Sequence, residues 1–331
     1  MSSTFHVYFG PEALETRIRR RKIAPRDCLA ALREGFDDFV TMPTHPVFVG
    51  VFYAIAGILL VGLTSFSNAL HLVFPFAAGF ALLGPFFAVG LYEMSRRREK
   101  GLSASWRNAF AVARSPALAS ILALGLLLFF IFAVWIAAAD LLYVWLYGPK
   151  PPAALLPFLG DVLTTGRGWT LILLGGLIGF GFAALTLCLS IVSFPLMLDR
   201  DVGLVPAVVA SAQTARDNPG AIALWGLIVA AALVVGSIPL FIGLAIVVPV
   251  LGHATWRLYR RAIERDPAHE VPIESPASAE DVTRNPVLRF VSIFLDLFQF
   301  LRRGEEWSPT EPDASSRNPK TGAANQRADA P

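Results

Sequence analysis

The sequence predicts an all-α fold, a polytopic membrane helix bundle with about six transmembrane helices. The chain of 331 residues is 55% hydrophobic and only 16% charged, whereas soluble domains carry about 25% charged residues. The charge deficit is concentrated in long apolar blocks, and a helix needs about 20 such residues to cross about 30 Å of hydrocarbon. The lysines and arginines, in turn, are concentrated in the segments between alternate blocks.

The apolar blocks define the predicted spans. They lie near residues 47–66, 70–94, 117–147, 169–198, 221–237 and 240–259. The last two come from one apolar stretch that is too long for a single span and has Pro239 near its middle, which predicts two helices joined by a tight turn. One kinked helix is the alternative, because proline is tolerated within a membrane helix when its neighbours satisfy the freed carbonyl group.

The distribution of positive charge predicts the orientation. Six spans place both termini on one side, and of the 28 lysines and arginines only Lys150 and Arg167 fall on the other side. The positive-inside rule assigns the arginine-rich side to the cytoplasm. We expect basic anchors there, at a membrane surface that attracts anionic lipid headgroups. The predicted anchors are Arg96, Arg97, Arg98, Arg260 and Arg261.

Three segments on the arginine-rich side share a pattern: "LREGFDDFVTMPTHPVF", "SWRNAFAVARSPALA" and "VVASAQTARDNPGAIA". Each is a short amphipathic stretch and a polar step, followed by Pro46, Pro116 or Pro219 at the start of a membrane helix, where the missing N–H costs nothing. The pattern predicts a threefold repeat of an interfacial amphipathic helix and a helical hairpin. Coincidence is the alternative, since any loop between spans is polar and often starts the next span with Pro or Ser.

The predicted domain organisation has five parts. Residues 1–25 form a polar cytoplasmic segment without the features of a signal peptide, and residues 26–264 form the transmembrane domain. A linker over 265–284 leads to an amphipathic helix over 285–307, which we expect to lie on the membrane or to contact a partner. Residues 308–331 are rich in Pro, Ser, Asn and Asp, and we expect them to be disordered.

Small residues predict where the membrane helices pack, because close approach of helices in lipid requires short side chains. In the fourth span, Gly175, Gly179 and Ala183 recur at intervals of four residues. Gly84 belongs to a similar stripe in the second span.

Ionisable groups within the predicted spans are few. Glu93 lies one turn from Arg96, which predicts a surface ion pair, and Asp140 is expected to be solvated at the outer surface. His45 and His253 are the candidates for axial haem ligands, but their depths differ by about 10 Å on the helix rise. A packing role with one hydrogen-bond partner is therefore the favoured interpretation of His253. We predict no catalytic site, no metal site, no cofactor and no nucleic-acid partner.

Several stretches, including "FPFAAGFALLGPFFAVGLYEMSRRREKGL", "SFPLMLDRDVG" and "VVPVLGHATWRLYRRAI", resemble the bacterial family known as domain of unknown function 2189, over about 27–264. The resemblance implies a multi-span integral protein of the bacterial inner membrane. Some family members are labelled putative cytochrome c oxidase subunit, which implies a respiratory association. The chain lacks the in-membrane histidines that a haem–copper catalytic subunit needs.

The sequence favours a non-catalytic accessory or scaffold protein, which is expected to contact lipid and other membrane proteins, including those of the respiratory chain. A small-solute transporter or channel is the first alternative, although the spans offer only hydroxyl groups such as those of Thr186, Ser190 and Ser193. A haem-binding membrane subunit is the second alternative.

Overall fold

The structure of the protein is a computed structural model that describes residues 18–42, 62, 69–102, 104, 106–200, 202–239 and 242–273. The chain divides into two compact units, Met1–Pro276 and Ala277–Pro331, and all of these residues belong to the first. Their regular elements are helices, which confirms the all-α class. The predicted span at 47–66, apart from Gly62, and the predicted segments 285–307 and 308–331 lie outside the described residues.

The structure describes the following α-helices. In chain order they are α1 (Pro25–Thr41), α2 (Val73–Phe80), α3 (Gly84–Phe87), α4 (Val89–Glu99), α5 (Leu118–Tyr147), α6 (Leu155–Thr164), α7 (Gly166–Ser190), α8 (Ser193–Asp199), α9 (Leu204–Asp217), α10 (Pro219–Ser237) and α11 (Leu244–Ala262). Short 3₁₀ helices lie at Leu70–Leu72, Ala81–Leu83, Trp106–Arg114 and Pro267–His269.

Four helical segments within the described residues are long and apolar enough to cross a membrane. They are Leu70–Glu99, Leu118–Tyr147, Gly166–Asp199 and Pro219–Ser237. Two of them are interrupted where proline removes a backbone donor: Pro85 lies at the start of α3, and Pro195 lies in α8, just after the turn that ends α7. These four segments make the chain a multi-pass membrane protein in contact with the lipid bilayer.

The last predicted span differs from the structure. The interval 221–259 holds two helices, α10 and α11, but α11 begins at Leu244 and continues to Ala262. It is not among the four apolar segments, because Arg257, Arg260 and Arg261 lie in its last two turns. The number of described candidate spans is therefore four, and α11 is a more polar and largely buried helix.

Helix α1 packs along α11 through its smallest side chains. Cys28, Ala31, Gly35 and Asp38 are buried and recur at intervals of three and four residues, which places them on one helical face. The opposite face leaves Leu29, Phe36 and Val40 more than half exposed. The amphipathic stretch predicted here is thus helical, but it packs on α11 through its small residues and not through its large apolar ones.

Helix α7 packs on α5 along a face that the sequence only partly predicted. A Cβ atom added at Gly179 would lie 3.0 Å from the Trp135 ring, and one at Gly175 would lie 3.5 Å from Leu142. Ala183, in contrast, is exposed, and its neighbour Phe182 packs on Trp135 instead. Each step of four residues turns about 40° around a helix with 3.6 residues per turn. Two such steps rotate Ala183 off the contact face.

Gly84, the fourth residue predicted to pack, is half-buried at the first position of α3. It lies where the chain leaves the 3₁₀ turn Ala81–Leu83 and Pro85 follows. Helix contacts in this region come instead from Gly125 on α5, where an added Cβ would lie 2.5 Å from the Phe86 ring.

Candidate functional site

Buried polar side chains concentrate at the arginine-rich end of the bundle, where α1, α4, α8 and α11 meet. Two carboxylates with 0% exposure form its centres, Asp38 near the end of α1 and Asp199 at the end of α8. Most of their partners are arginines of α4 and α11. We refer to this arrangement as the arginine cluster. Its members are Asp38, Glu93, Ser95, Arg96, Arg97, Arg98, Glu99, Asp199, His253, Trp256, Arg257, Tyr259 and Arg260.

Asp38 accepts hydrogen bonds from side chains of two other helices, α4 and α11. The guanidinium group of Arg257 donates to both carboxylate oxygens, with N–O distances of 2.9 and 2.7 Å. The hydroxyl group of Ser95 on α4 donates to the same carboxylate at 2.9 Å, and Arg98 pairs with it as well. Asp38 reaches this position because it ends the small-residue face of α1, which runs along α11 for about three turns from Cys28.

His253 lies next to Ser95, so that a serine, a histidine and an aspartate are in contact. The Nδ1 atom of His253 is 2.7 Å from the Ser95 oxygen. Because the single hydroxyl proton of Ser95 is donated to Asp38, His253 must act as the donor through Nδ1–H. In a hydrolytic triad the histidine lies between the serine and the carboxylate and removes the serine proton. Here the serine lies in the middle, and Ser95 and His253 are both 0% exposed.

Asp199 is the second centre. Arg260 donates to both of its oxygens at 2.7 and 3.0 Å, and the Tyr259 hydroxyl donates to one of them at 2.7 Å. Its backbone carbonyl oxygen accepts a hydrogen bond of 2.8 Å from the amide of Val271, beyond the end of α11. The Arg260 guanidinium also lies 4.8 Å from the centre of the Trp256 ring, a cation–π distance.

Glu93 binds two arginines of its own helix, and Glu99 connects α4 to α11. Glu93 pairs with Arg96 at 3.2 Å and with Arg97 at 2.8 Å, at spacings of three and four residues along one helix. Glu99 accepts hydrogen bonds from Arg260 at 2.9 Å and from the Trp256 indole at 3.0 Å.

The predicted basic anchors are therefore brought together, but they do not all face the membrane surface. Arg96 and Arg97 are only 2% and 4% exposed. The other three predicted anchors are partly exposed. Arg98 pairs with Asp37 and Asp38, whereas Arg260 pairs with Asp199 and Arg261 with Glu34. The predicted surface pair of Glu93 is present but buried. Burying a charge is tolerated only when a partner compensates for the lost hydration, so these arginines hold helices together.

Sequence reasoning missed the two central carboxylates, although signals for them exist. Asp38 continues a run of small residues at helical spacing, which is unusual for a solvated acidic residue. Asp199 follows a long apolar run directly and has no basic residue within reach on its own helix. Arg257, Arg260 and Arg261 share one face of α11 at spacings of three and four residues and require acidic partners from elsewhere in the chain.

The two ends of the described chain close over this region. Arg20 and Ile263 form an antiparallel bridge, with the Arg21 amide 2.7 Å from the Ala262 oxygen. A second bridge joins Arg200 and Glu270. Although burial opposes the change, hydrogen bonds and charge from Arg265 and Lys100 lower the pKa of Glu270 to about 2.

The residues considered for other functions lie elsewhere or are already engaged. Ser190 donates to the backbone oxygen of Thr186 at 2.7 Å, and Ser193 donates to that of Ala207 at 3.1 Å. His45 lies outside the described residues. Within the described part of the chain, no group of histidine, cysteine, aspartate and glutamate side chains is arranged to hold a metal ion.

Asp140 lies near the end of α5 that is far from the arginine cluster, and its partner is His71. Its carboxylate is 2.9 Å from Nε2 of His71, and its side chain is 47% exposed. The His71 ring stacks on Tyr143, with ring centres 4.0 Å apart. Asp140, which we expected to be solvated, is thus half exposed. It also connects α5 to the start of the segment Leu70–Glu99 through His71.

Comparisons with known proteins place part of the chain in a family. Residues 73–199 match a family model described as a predicted integral membrane protein (DUF2189). This match confirms the resemblance to that family over residues 73–199. A search of curated proteins and a search of solved structures found no match.

Proposed function

We propose that this member of a family of predicted integral membrane proteins is a non-catalytic accessory or scaffold protein of the bacterial inner membrane. Its role is to pack against other membrane proteins, with those of the respiratory chain as the expected neighbours. The respiratory association rests on the family resemblance, and the non-catalytic role rests on the geometry of the arginine cluster.

The proposed topology has six spans and cytoplasmic termini. The arginine cluster lies on the cytoplasmic side, as the positive-inside rule requires. Helix α5 is 30 residues long, about 45 Å at 1.5 Å per residue, so that its far end and α6 reach the periplasmic side. Helices α10 and α11 then form the last hairpin, with the apolar first half of α11 in the membrane and its arginines at the cytoplasmic surface.

The proposed repeat has three units, each with a helix at the cytoplasmic surface followed by a hairpin. The three amphipathic segments correspond to α1, to the 3₁₀ helix Trp106–Arg114 and to α9. The exposed face of α1 carries Leu29, Phe36 and Val40 beside Arg26 and Arg33, all exposed. Apolar and cationic side chains on one face suit an interface with anionic lipid.

The observation that carries the scaffold proposal is the exposure of α7. Only 6% of the most apolar stretch of Gly166–Asp199 is buried, against 33% for α5. Leu173, Leu177 and Phe180 are each about two-thirds exposed or more. A helix that contributes so little to its own bundle has most of its surface available for lipid or for a helix of another protein.

The other candidate functions have less support. Of the three hydroxyl groups that a transport path would use, those of Ser190 and Ser193 donate to backbone carbonyl oxygens, and that of Thr186 is isolated in the buried interior of the described residues. The Ser95 hydroxyl lacks a histidine that accepts its proton. His253 is 0% exposed, and His45, the other haem candidate, lies outside the described residues.

Site-specific photo-crosslinking in native membranes tests the scaffold proposal. We expect a photo-reactive phenylalanine analogue at Phe180 to form adducts with subunits of a respiratory oxidase, identified by mass spectrometry. The same analogue at Leu128, which is fully buried on α5, is the matched control and should form none. Adducts with lipid alone at Phe180 and at Leu177 would show that this face of α7 has no protein neighbour.

A further inference from the structure

Helix α6 connects the end of α5 to the start of α7, at the end of the bundle that is far from the arginine cluster. It is 10 residues long and apolar. At 1.5 Å per residue it extends about 15 Å, whereas a helix needs about 20 residues to cross the hydrocarbon. It is therefore too short to be a span, and its apolar surface has to be covered in another way.

Both faces of α6 carry apolar side chains. On the inner face Val162 is buried, and the Phe158 ring meets the rings of Tyr143 and Tyr147 on α5 edge-on, with ring centres 5.8 and 5.7 Å apart. The outer face carries three exposed leucines at spacings of three and four residues: Leu156, Leu159 and Leu163. A helix that faced water on its outer side would carry polar side chains there.

The connection to α7 holds the outer face in place. Only Thr165 separates the two helices, and its hydroxyl group accepts a hydrogen bond of 3.1 Å from the Gly168 amide. A Cβ atom added at Gly168 would overlap the backbone oxygen of Val162. Arg167 donates to both carboxylate oxygens of Asp161, at 3.2 and 2.9 Å. The leucines therefore cannot turn towards the bundle unless these contacts are broken.

Two exposed tryptophans at this end of the bundle indicate the level of the membrane boundary. Trp145 lies in the last turn of α5, and Trp169 lies in the first turn of α7. Tryptophan is enriched at the boundary between hydrocarbon and water, where its ring is apolar and its N–H finds a polar partner. The Trp169 indole donates to the backbone oxygen of Leu163 at 3.1 Å. The end of α6 is therefore at the level of Trp169.

The outer face of α6 continues the surface that α7 presents to lipid, where Leu173 is the next large exposed side chain after Ile172. Polar groups near the end of α6 have partners within the protein. The Thr164 hydroxyl donates to the Gly160 oxygen at 2.7 Å, and the Thr165 hydroxyl donates to the Asp161 oxygen at 2.8 Å. Contact with hydrocarbon requires such internal partners, so this end of α6 suits a lipid surface.

We propose that α6 is an interfacial helix. It inserts Leu156, Leu159 and Leu163 into the acyl chains of the leaflet far from the arginine cluster, and it anchors α7 at a fixed depth. Helix α7 contributes little buried surface to its own bundle, and interfacial anchors set the depth and tilt of such a helix. The proposal depends on α7 crossing the membrane and not on the scaffold role.

The sequence of α6 contains no lysine or arginine. Its insertion therefore depends on burial of apolar surface and not on the attraction of cations for anionic headgroups. This distinguishes α6 from the arginine-rich end of the protein. We expect its depth to be the same in neutral and in anionic membranes, and at low and at high salt.

Spin-label accessibility tests the proposal on the purified full-length protein in phosphatidylcholine vesicles. A nitroxide is attached at Leu159 or at Leu163 through a genetically encoded amino acid, so that the native cysteines stay in place. Collisions with oxygen, which concentrates in the acyl region, are compared with collisions with a water-soluble nickel chelate. We expect a several-fold higher oxygen-to-nickel ratio than at Lys150, an exposed residue before α6. Added phosphatidylglycerol or salt should leave this ratio unchanged.

A charged variant tests the anchoring of α7. An aspartate is costly to place in hydrocarbon, so Leu159→Asp should raise nickel access at Leu163 several-fold. It should also change the oxygen-to-nickel ratio at Leu173, because α7 loses its anchor. Ala153→Asp adds the same charge at an exposed position before α6 and is the matched control. It should leave the labels at Leu163 and Leu173 unchanged.

The labels in the otherwise unaltered protein decide the insertion of α6 even if Leu159→Asp does not fold, and Leu159→Ser then takes its place for the anchoring of α7. Nickel access at Leu159 and Leu163 equal to that at Lys150 would mean that this face lies in water. Protection from both reagents would mean that a second copy of the protein covers it. Either result would overturn the proposal, and so would an unchanged ratio at Leu173 in the variant.

Discussion

Gly35 of α1 lies directly against the backbone of Ala254 in α11. A Cβ atom added to Gly35 would come within 2.5 Å of both the Cβ and the amide nitrogen of Ala254. No side chain fits at this distance without separating the two helices. The absence of a side chain at Gly35 therefore allows Asp38, one turn later on the same face, to reach Arg257 and Ser95.

Replacement of Gly35 by valine should destabilise the protein. Overpacking of a tight contact costs about 1–3 kcal/mol, so we expect a clearly lower melting temperature in detergent. Gly176→Val on α7 is the matched control, because an added Cβ there meets no atom within 4 Å. Equal melting temperatures for the two variants would contradict the close packing of α1 on α11.

Asp38→Asn removes the charge that compensates Arg257. Breaking one partner of a buried ion pair costs about 3–5 kcal/mol, and we expect a loss of stability of this order. Asp37→Asn, one residue earlier, removes a carboxylate that is 72% exposed, and its effect should be below about 0.5 kcal/mol. Chemical denaturation in mixed micelles measures both.

The same pair allows a double-mutant cycle. If Asp38 and Arg257 stabilise each other, Asp38→Asn combined with Arg257→Gln should cost less than the sum of the two single changes. Strict additivity would show that the contact makes no net contribution, because additivity is the behaviour of independent sites.

Ser95 should not behave as a nucleophile. Its proton is donated to Asp38, and it is fully buried. We expect no labelling of the detergent-purified protein by a fluorophosphonate probe. Labelling that disappears in Ser95→Ala would contradict the non-catalytic proposal.

The contribution of Glu270 should depend on pH. Its pKa is lowered from 4.5 to about 2, and a carboxyl group with a lowered pKa stabilises the folded state above its ordinary pKa. Glu270→Gln should therefore be less stable than the wild type at pH 7. This difference should diminish as the pH falls from about 4.5 to about 2. A difference that is constant over this range would exclude the ion pairs with Lys100 and Arg265 as its cause.

The sequence was sufficient for the class of protein, because that class depends on composition along the chain. Apolar blocks of the required length predicted the four described candidate spans, and the family was recognised from their motifs. The division of the last apolar stretch into two helices also followed from the local effect of Pro239. These features depend on residues that are neighbours in the sequence.

The arginine cluster could not be predicted in the same way, because its partners are far apart in the chain. Arg257 follows Asp38 by 219 residues, and no local pattern indicates that they meet. The positive charge on one side predicted exposed anchors, whereas the packing of α4 against α8 and α11 places Arg96 and Arg97 inside, beside Glu93 of the same helix. Ala183 was assigned to the packing face on spacing alone, and the rotation of the helix moves it away.

The central claim is that this protein crosses the membrane several times, with the arginine cluster on the cytoplasmic side. Topology reporters fused after Phe158, Val202 and Ala268 test it most directly. We predict that the fusion after Phe158 is active as a periplasmic phosphatase and that the other two are active only as cytoplasmic fluorescent proteins. A cytoplasmic location for Phe158, or a periplasmic location for Ala268, would contradict the account.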